Sequence, residues 1–163
     1  MTGAPDPLLA IAPASLRDFR TLLNLERTCF GEDAWPWIDI LAVVTFPEAV
    51  RIKADWDGRA AGFVIGDRRR SQGLGWIASI GVHPDFRRRG IAGLLLERCE
   101  AELAMPRIRL TLRRSNLGAL SLYRQSGYAE IDVWERYYRN GEDGLVMEKV
   151  RVSEADAAPS GQA

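Results

Sequence analysis

Hydrophobic residues along this chain follow two different periods, and each period predicts a different kind of element. From Leu16 to Phe30 they recur at helical spacing, so that one face of an α-helix is apolar. From Arg107 to Arg113 they alternate with polar residues, as they do in a β-strand with one buried face. Turn residues separate such segments: Gly31 ends the first helix, and Asp57-Gly58 predicts the turn of a hairpin.

Across the whole chain, these patterns predict an element order of β-α-α-β-β-β-α-β-α-β-β. Antiparallel hairpins dominate this order, and the central β-α-β-α segment adds a short parallel pairing. The expected fold is α+β (mixed α/β), with four helices and a central, mostly antiparallel sheet of about six to seven strands. The predicted helices span about 15–30, 35–46, 90–104 and 116–125, and the predicted strands about 8–12, 49–56, 60–66, 74–82, 107–113, 128–138 and 145–150.

Length and composition indicate one globular domain. The chain has 163 residues, of which 47% are hydrophobic and 27% charged, close to the averages for globular domains. Its two ends are poor in large apolar side chains, because residues 1–7 contain glycine and proline and residues 153–163 are small and polar. We therefore expect a single domain over residues 8–152, flanked by disordered tails at 1–7 and 153–163.

The same composition disfavours several classes of protein. The formal net charge is zero, from 22 basic and 22 acidic residues, which argues against a nucleic-acid or membrane-surface binder. No apolar stretch approaches the roughly 20 residues that span a membrane, and the first residues lack the basic region of a signal peptide. Cys29, Cys99 and His83 are too few for a disulfide framework or a metal site. We expect a cytoplasmic protein with no metal, no membrane and no nucleic-acid partner.

The neutral total hides a basic central segment. Between Arg68 and Arg114 the chain has eleven arginines and four acidic residues, a local net charge of +7. Within it, Val82–Gly93 reads as a strand end, a tight turn and a helix start, with Arg87–Arg89 directly before Gly90. Free amides at a helix N-terminus, glycines and arginines together predict a pyrophosphate site, although an ordinary basic helix start has the same pattern. The turn lacks the Gly-x-Gly opening of a Rossmann site and the Gly-Lys-Ser/Thr of a Walker loop.

Two motifs in this region resemble those of the GNAT acetyltransferases. Val82–Ala92 is similar to motif A of that family, whose core is Arg/Gln-x-x-Gly-x-Gly/Ala. Ser115-Asn116 followed by Leu122–Tyr128 is similar to its motif B. The predicted element order also matches, so the chain is identified as a GNAT member over roughly residues 8–150. The resemblance implies acetyl-CoA as the acetyl donor.

The resemblance also implies roles for individual residues. The strand end at Ile80, Gly81 and Val82 would pair with the pantetheine as an added strand. Tyr123 would contact the cofactor and protonate the departing thiolate, because a phenol of pKa about 10 is close to a thiol of pKa about 8.5. Outside the motif, Tyr123 would read as a core aromatic residue. The other predicted cofactor contacts are the backbone of Arg87, Arg88, Arg89, Gly90, Ile91, Ala92 and Gly93, and the side-chain amide of Asn116.

A further resemblance narrows the subfamily. Arg136–Met147 is similar to the ending of the RimI-like N-terminal protein acetyltransferases, which include ribosomal-protein alanine acetyltransferases. Glu26–Phe30 followed by Trp35 is similar to their first helix and loop. The resemblance implies that Tyr137 and Tyr138 line the entry for a peptide N-terminus, and Trp35 suggests an apolar wall on the acceptor side. Without that context, the two tyrosines would read as aromatic residues at the end of a hairpin.

One position departs from the RimI-like pattern. Where that group has a glutamate as general base, five residues before the motif B asparagine, this chain has Thr111. Threonine is no base near neutral pH, which leaves three explanations: a water held by Thr111, a carboxylate of Glu32 or Asp33, or a different acceptor. His83 is a further conceivable base, although the His-Pro turn reads as a structural element.

The absence of the glutamate base affects which acceptor amine is expected. An α-amine has a pKa of about 7.7–8.0, so it needs a base less than a lysine of pKa about 10.4 does. We therefore expect acetyl transfer to the N-terminal α-amine of a protein or peptide, by direct attack in a ternary complex. The alternatives are a GNAT enzyme acting on a small-molecule amine and an acyl-CoA-binding module without turnover. Monomer and homodimer are both compatible with the sequence.

Overall fold

Burial alternates from residue to residue along several strands of this protein, so each of those strands has one buried and one half-buried face. The structure is a computed structural model and describes residues 8–151. Its strands are β1 Leu9–Pro13, β2 Ala49–Trp56, β3 Arg59–Arg69, β4 Leu74–Val82, β5 Arg107–Arg113, β6 Ala129–Trp134 and β7 Gly144–Val150. Its helices are α1 Phe19–Phe30, α2 Trp37–Thr45, α3 Ile91–Leu103 and α4 Leu117–Gln125.

The strands form one seven-stranded sheet in the order β1-β2-β3-β4-β5-β7-β6. The neighbouring pairs β1–β2, β2–β3, β5–β7 and β6–β7 are antiparallel. The predicted α+β fold, with a mostly antiparallel sheet and four helices in the described part of the chain, is therefore confirmed.

The strand β3 extends further than the sequence predicts. It continues past Gly66 to Arg69, because β2 pairs with it as far as Asp67. The connection between the predicted strands 60–66 and 74–82 is accordingly shorter and contains a 3-10 turn at Arg70–Gln72.

The strand β6 is shorter than predicted. It ends at Trp134 rather than at Tyr138. Arg136 has a left-handed φ of +51°, which extended pairing does not tolerate, and its amide donates to Asp143 Oδ1 at 3.0 Å. Residues 135–143 therefore form a loop that folds back on itself.

The chain divides into two compact units. The first comprises Met1–Arg68 and Ile77–Leu103, and the second comprises Arg69–Trp76 and Ala104–Ala163. The strand β4 begins in the second unit and continues in the first. A single domain over residues 8–152 stays a prediction, and the predicted tails at 1–7 and 153–163 lie outside the described residues.

The first unit buries α1 and α2 against its strands. Ser15 and Asp18 form the capping box at the entry to α1, with the Ser15 amide donating to Asp18 Oδ2 at 2.8 Å. Asp18 also accepts from Lys53 on β2 at 2.8 Å, which ties the helix entry to the sheet. The core of this unit contains Ala14, Leu22, Leu25, Ile40, Val44, Phe63 and Ile65.

In the second unit, β7 pairs with β5 on one side and with β6 on the other. Thr111 is paired with Val146 across β5 and β7, and β6 lies at the edge of the sheet with most of its residues exposed. The buried side chains of this unit include Ile108, Leu110, Leu112, Leu120, Tyr123, Tyr128, Leu145, Val146 and Met147.

No helix within residues 8–151 is long and apolar enough to span a membrane.

Candidate active site

In the first unit, the end of β4 has one buried and one half-buried face. Ser79 and Gly81 are buried, whereas Ile80 and Val82 point to the half-buried side. A Cβ on Gly81 would lie 2.9 Å from Cys29 Sγ, so close packing against α1 explains this glycine. Of the three predicted pantetheine contacts on β4, Ile80 and Val82 are the two whose side chains point away from this packing.

The turn after β4 is built around His83 and Phe86. The Asp85 amide donates to His83 Nδ1 at 3.2 Å, and the Phe86 amide donates to the His83 carbonyl at 2.9 Å. Phe86 is buried beneath the turn. His83 therefore shapes the path of the chain into α3, as its place in a His-Pro turn suggested.

The N-terminus of α3 presents free backbone donors. The first helical hydrogen bond runs from the Leu94 amide to the Gly90 carbonyl at 3.2 Å, so the amides of residues 91–93 precede the ladder. Gly90 has a φ of +77° and Arg88 a φ of +61°, which turn the chain sharply before the helix. Such a helix start suits an anion, because the amides and the helix dipole point towards it.

Two of the three arginines before Gly90 are held by the protein itself. Arg87 donates from Nε to the Val82 carbonyl at 3.0 Å. The guanidinium carbon of Arg89 lies 4.8 Å from the centre of the Trp56 ring. The structure thus brings Arg87 together with the end of β4, and it directs Arg89 to β2.

In the second unit, Tyr123 is a buried phenol. It lies on α4 with 6% of its surface exposed, and its ring contacts that of Tyr128 edge-on. Burial raises the pKa of Tyr123 above its ordinary value, and Tyr138 adds to this effect. The hydroxyl is therefore protonated across the physiological pH range and carries a proton that it can donate.

Asn116 is the N-cap of α4. Its Oδ1 accepts a hydrogen bond from the Ala119 amide at 3.1 Å. The side-chain oxygen is thus engaged in the helix, and the cofactor contact predicted for Asn116 would have to use its Nδ2 donors.

The tyrosine pair belongs to a row of four aromatic rings, which we call the aromatic row: Trp76, Trp134, Tyr137 and Tyr138. The centres of the rings of Trp76 and Trp134 are 5.7 Å apart and the rings are stacked. The Trp134–Tyr137 and Tyr137–Tyr138 distances are 5.2 and 5.1 Å. Contacts of this kind orient the rings, so the two tryptophans help to position the two tyrosines.

A guanidinium group lies over the ring at each end of the aromatic row. Arg69 lies 4.9 Å from the Trp76 ring centre, and Arg113 lies 4.1 Å from that of Tyr138. Sequence reasoning missed both tryptophans and both arginines. Their strands are far apart in sequence, and no local pattern indicates that these side chains meet.

The Gly-Glu-Asp segment after the tyrosines has a structural explanation. Glu142 Oε2 lies 2.8 Å from Arg113 Nη1, and Glu142 Oε1 accepts from the Ser115 amide at 2.7 Å. These hydrogen bonds, the largest effect coming from Ser115, lower the pKa of Glu142 to about 2. Glu142 therefore ties the loop that carries the tyrosines to the segment before α4.

Thr111 lies beneath this loop. A Cβ on Gly144 would come within 2.9 Å of Thr111 Cγ2 and 3.1 Å of Tyr137 Cδ1, so Thr111 and Tyr137 both pack closely against Gly144. The Oγ1 atom of Thr111 is buried, and no group within residues 8–151 is its hydrogen-bond partner. A buried hydroxyl without a partner is unusual and marks this position as functionally interesting.

The predicted acceptor residues are divided between the units: Trp35 belongs to the first, and Tyr137 and Tyr138 to the second. Trp35 is half-buried in the loop between α1 and α2, and Glu32 and Asp33 are exposed just before it. Within residues 8–151, no group of three or more His, Cys, Asp and Glu side chains is placed to hold a metal ion.

Comparison with known proteins decides the family. The sequence profile of the acetyltransferase (GNAT) family matches residues 16–128. The chain belongs to the GNAT acetyltransferase family. This GNAT chain is 31% identical over 120 residues to an acetyltransferase of Pectobacterium atrosepticum, covering 71% of this chain and 84% of that protein.

Two further relatives carry names that refer to N-terminal acetylation. The GNAT chain is 26% identical over 149 residues to the N-terminal acetyltransferase A complex catalytic subunit NAA10 of Arabidopsis thaliana, with 87% of this chain and 78% of that protein covered. The ribosomal-protein-S18-alanine N-acetyltransferase of Escherichia coli has the same fold, with a TM-score of 0.81 and 22% identity over 90% of this chain and 97% of that chain. The predicted GNAT membership and acyltransferase activity are confirmed.

Proposed function

We propose that this GNAT enzyme transfers the acetyl group of acetyl-CoA to the N-terminal α-amine of a protein or peptide. The donor half of this proposal is supported by the start of α3. The free amides of residues 91–93 and the positive end of the helix dipole suit the diphosphate of CoA. Ile80 and Val82, on the half-buried face of β4, would lie along the pantetheine.

Tyr123 is proposed as the group that protonates the departing thiolate. Attack of a neutral amine forms the C–N bond while the C–S bond breaks, and the sulfur takes the phenol proton. Because burial raises the pKa of Tyr123, its phenolate then recovers the proton that the acylated nitrogen releases. A thiolate that departs in desolvated surroundings also has a raised pKa, which keeps the transfer feasible.

The two ends of the aromatic row are proposed to influence which class of amine is acetylated. Cationic amines are held by open aromatic faces or by carboxylates. Here the guanidinium groups of Arg69 and Arg113 already lie over the two outer rings. Neither outer face is therefore open to hold an ammonium ion, which favours an amine that is largely neutral at cellular pH. An α-amine of pKa about 7.7–8.0 meets this condition better than a lysine of pKa about 10.4.

Four residues are proposed to contact the acceptor. Tyr137 is 53% exposed and offers an aromatic face to the first side chain of the peptide. Trp35 in the first unit and Tyr138 in the second are both half-buried, and each is proposed separately as a contact for the acceptor. The Thr111 hydroxyl, next to Tyr137, is proposed as the polar contact for the acceptor amine or for the proton that leaves it.

The test uses three sets of acceptors with acetyl-CoA and the purified full chain. The first set is peptides with a free N-terminus and no lysine, the second is the same peptides with a blocked N-terminus and one internal lysine, and the third is small polyamines. Release of the CoA thiol and the mass of the product report transfer. Acetylation of the first set alone is expected. Transfer only to lysine or to polyamines would contradict the proposal.

A further inference from the structure

Glu26 is a buried carboxylate that the transfer step does not use. It lies on α1 and is 1% exposed. Its Oε2 accepts a hydrogen bond from the Ser79 hydroxyl at 2.9 Å, and its Oε1 accepts one from the Trp35 amide at 3.2 Å. Acidic side chains are rarely buried this fully, so a reason for the carboxylate is needed.

The partners of Glu26 lie on two segments that the proposed function uses. Ser79 is on β4, shortly before the strand ends at Val82. Trp35 is in the loop that leads into α2, on the proposed acceptor side. One side chain on α1 therefore joins the donor strand to the acceptor loop within the first unit.

The contact between α1 and β4 does not depend on Glu26 alone. One helical turn further along, Cys29 packs so tightly on Gly81 that a Cβ there would lie 2.9 Å from Sγ. Arg87, which interacts with Cys29, also donates to the Val82 carbonyl at 3.0 Å. What Glu26 adds to this packing is the bond to the amide of Trp35.

Filling the space between α1 and β4 would not by itself call for a carboxylate. Burial raises the pKa of Glu26, and this effect exceeds the opposing effects of the hydrogen bonds from Ser79 and Trp35. A leucine of similar volume would fill the same space without that desolvation. A side chain with two acceptor oxygens is needed where donors on two separate segments have to be held together.

We propose that Glu26 is a positioning residue that fixes Trp35 relative to β4 and so shapes the acceptor side of the site. The inference rests on the proposed function, in which Trp35 contacts the acceptor. Glu26 itself does not touch the reacting atoms, so its loss is expected to weaken acceptor binding rather than to abolish the chemistry.

Three variants test this role. Glu26→Leu removes both hydrogen bonds, Ser79→Ala removes one, and Glu26→Gln retains the length and still offers an acceptor to Trp35 and a donor to Ser79. Glu97→Leu, at an exposed position on α3, is the matched control for loss of a carboxylate. The measurements are kcat, the KM for acetyl-CoA, the KM for the amine with the highest turnover in the acceptor panel, and hydrogen exchange of the segment that contains Trp35.

Glu26→Leu is expected to raise the acceptor KM about tenfold, to leave the KM for acetyl-CoA within about twofold, and to speed exchange at Trp35. Ser79→Ala is expected to raise the acceptor KM by about threefold, and Glu26→Gln to behave almost as the unmodified protein. Glu97→Leu should change none of these quantities.

Two results would overturn the proposal. One is an unchanged acceptor KM in Glu26→Leu, or in Ser79→Ala if the leucine variant does not fold. The other is a large fall in kcat with unchanged KM in Glu26→Gln, which would make the carboxylate a base. Exchange at Trp35 does not depend on which amine is used. Failure of every peptide with the unmodified protein would therefore count against the proposed function and leave the role of Glu26 to be decided by exchange and by the best amine.

Discussion

The guanidinium carbon of Arg113 lies 4.1 Å from the centre of the Tyr138 ring, and its Nη1 lies 2.8 Å from Oε2 of Glu142. One arginine thus holds both an aromatic residue of the proposed acceptor side and the carboxylate that binds the Ser115 amide. Because Ser115 directly precedes the cap of α4, the loop with the tyrosines is tied to the helix that carries Tyr123.

Replacing Arg113 by methionine should therefore loosen the acceptor side. The methionine keeps an apolar stem but loses the cation–π contact with Tyr138 and the ion pair with Glu142. We expect the KM for a peptide acceptor to rise about five- to tenfold, with the affinity for CoA unchanged. Steady-state kinetics and calorimetric titration with CoA measure the two effects. Arg114→Met is the control, since the Arg114 side chain is 63% exposed and its ion-pair distance to Asp143 is 3.4 Å. An equal rise in the acceptor KM in both variants would contradict the role assigned to Arg113.

The lowered pKa of Glu142 predicts a component of acid sensitivity. Hydrogen bonds from Ser115 and Arg113 lower this pKa from 4.5 to about 2. The stabilisation is therefore complete above the unfolded value of 4.5 and is lost as the pH falls from there through about 2. Urea unfolding of the unmodified protein and of Glu142→Gln should give a difference in free energy that is constant near neutral pH and shrinks below pH 4.5. A difference that is independent of pH would contradict the assignment.

Tyr123→Phe should separate catalysis from binding. Removing the proton donor is expected to lower kcat by about 10²- to 10³-fold, while CoA affinity stays within about twofold. Because the pKa of Tyr123 is raised, kcat of the unmodified enzyme should not fall between neutral pH and pH about 10 through loss of this proton. Measurements of kcat across this pH range, for the variant and for the unmodified enzyme, check the loss of rate and the pH dependence. Tyr128→Phe, which removes a hydroxyl from the neighbouring buried ring, should retain most of kcat. Comparable losses in the two variants would show that packing, rather than proton donation, explains the effect.

Local features of this protein were predictable from sequence. The turn from Val82 to Gly93 and the hairpin turn at Asp57-Gly58 each depend on residues a few positions apart. Their chemistry is contained in short patterns, so a single sequence is enough to find them. The strand ends were less predictable, because β3 is extended by the length of its partner rather than by its own sequence.

Contacts between distant segments were not predictable in the same way. The stacking of Trp76 on Trp134 and the bond between Ser79 and Glu26 join residues whose sequence neighbourhoods show no relationship. Glu26 did leave one signal: it lies four positions after Leu22 and three before Cys29, within the apolar face of α1. A charged residue inside such a face predicts a buried, partnered carboxylate, although the partner itself is visible only in the structure.

Thr111→Val is expected to make the protein more stable and the enzyme less active. The Thr111 hydroxyl is buried without a partner in the described residues, so valine, which has nearly the same shape, should raise the free energy of unfolding by about 1 kcal/mol. If the hydroxyl contacts the acceptor amine or its proton, kcat/KM for a peptide should fall about tenfold in the same variant. Thermal or urea unfolding and steady-state kinetics test the two expectations. In the control Thr45→Val, the lost hydroxyl is bonded to the carbonyls of Leu41 and Ala42, so no gain in stability is expected. Full activity of Thr111→Val would remove Thr111 from the proposed site.

Two glycines with nearly the same backbone conformation allow the donor site to be tested separately from backbone strain. Gly90 has a φ of +77° and Gly58 a φ of +76°, and a Cβ at either position would meet no atom within 4 Å. Alanine at either position should therefore lower the free energy of unfolding by about 1–2 kcal/mol, since the left-handed conformation disfavours a side chain. Gly90, however, lies where the diphosphate of CoA is proposed to bind, and Gly58 lies in the turn between β2 and β3.

CoA binding should accordingly distinguish Gly90→Ala from Gly58→Ala. In Gly90→Ala, the new methyl group points into open space before α3, and relaxation of the strained turn would move the amides of residues 91–93. We expect the Kd for CoA, measured by calorimetry, to rise more than about tenfold in Gly90→Ala and to stay within about twofold in Gly58→Ala. Because the expected strain is the same, a difference in Kd reports where the strain lies relative to the ligand, and not how large it is. Equal Kd values in the two variants would place the diphosphate away from the start of α3.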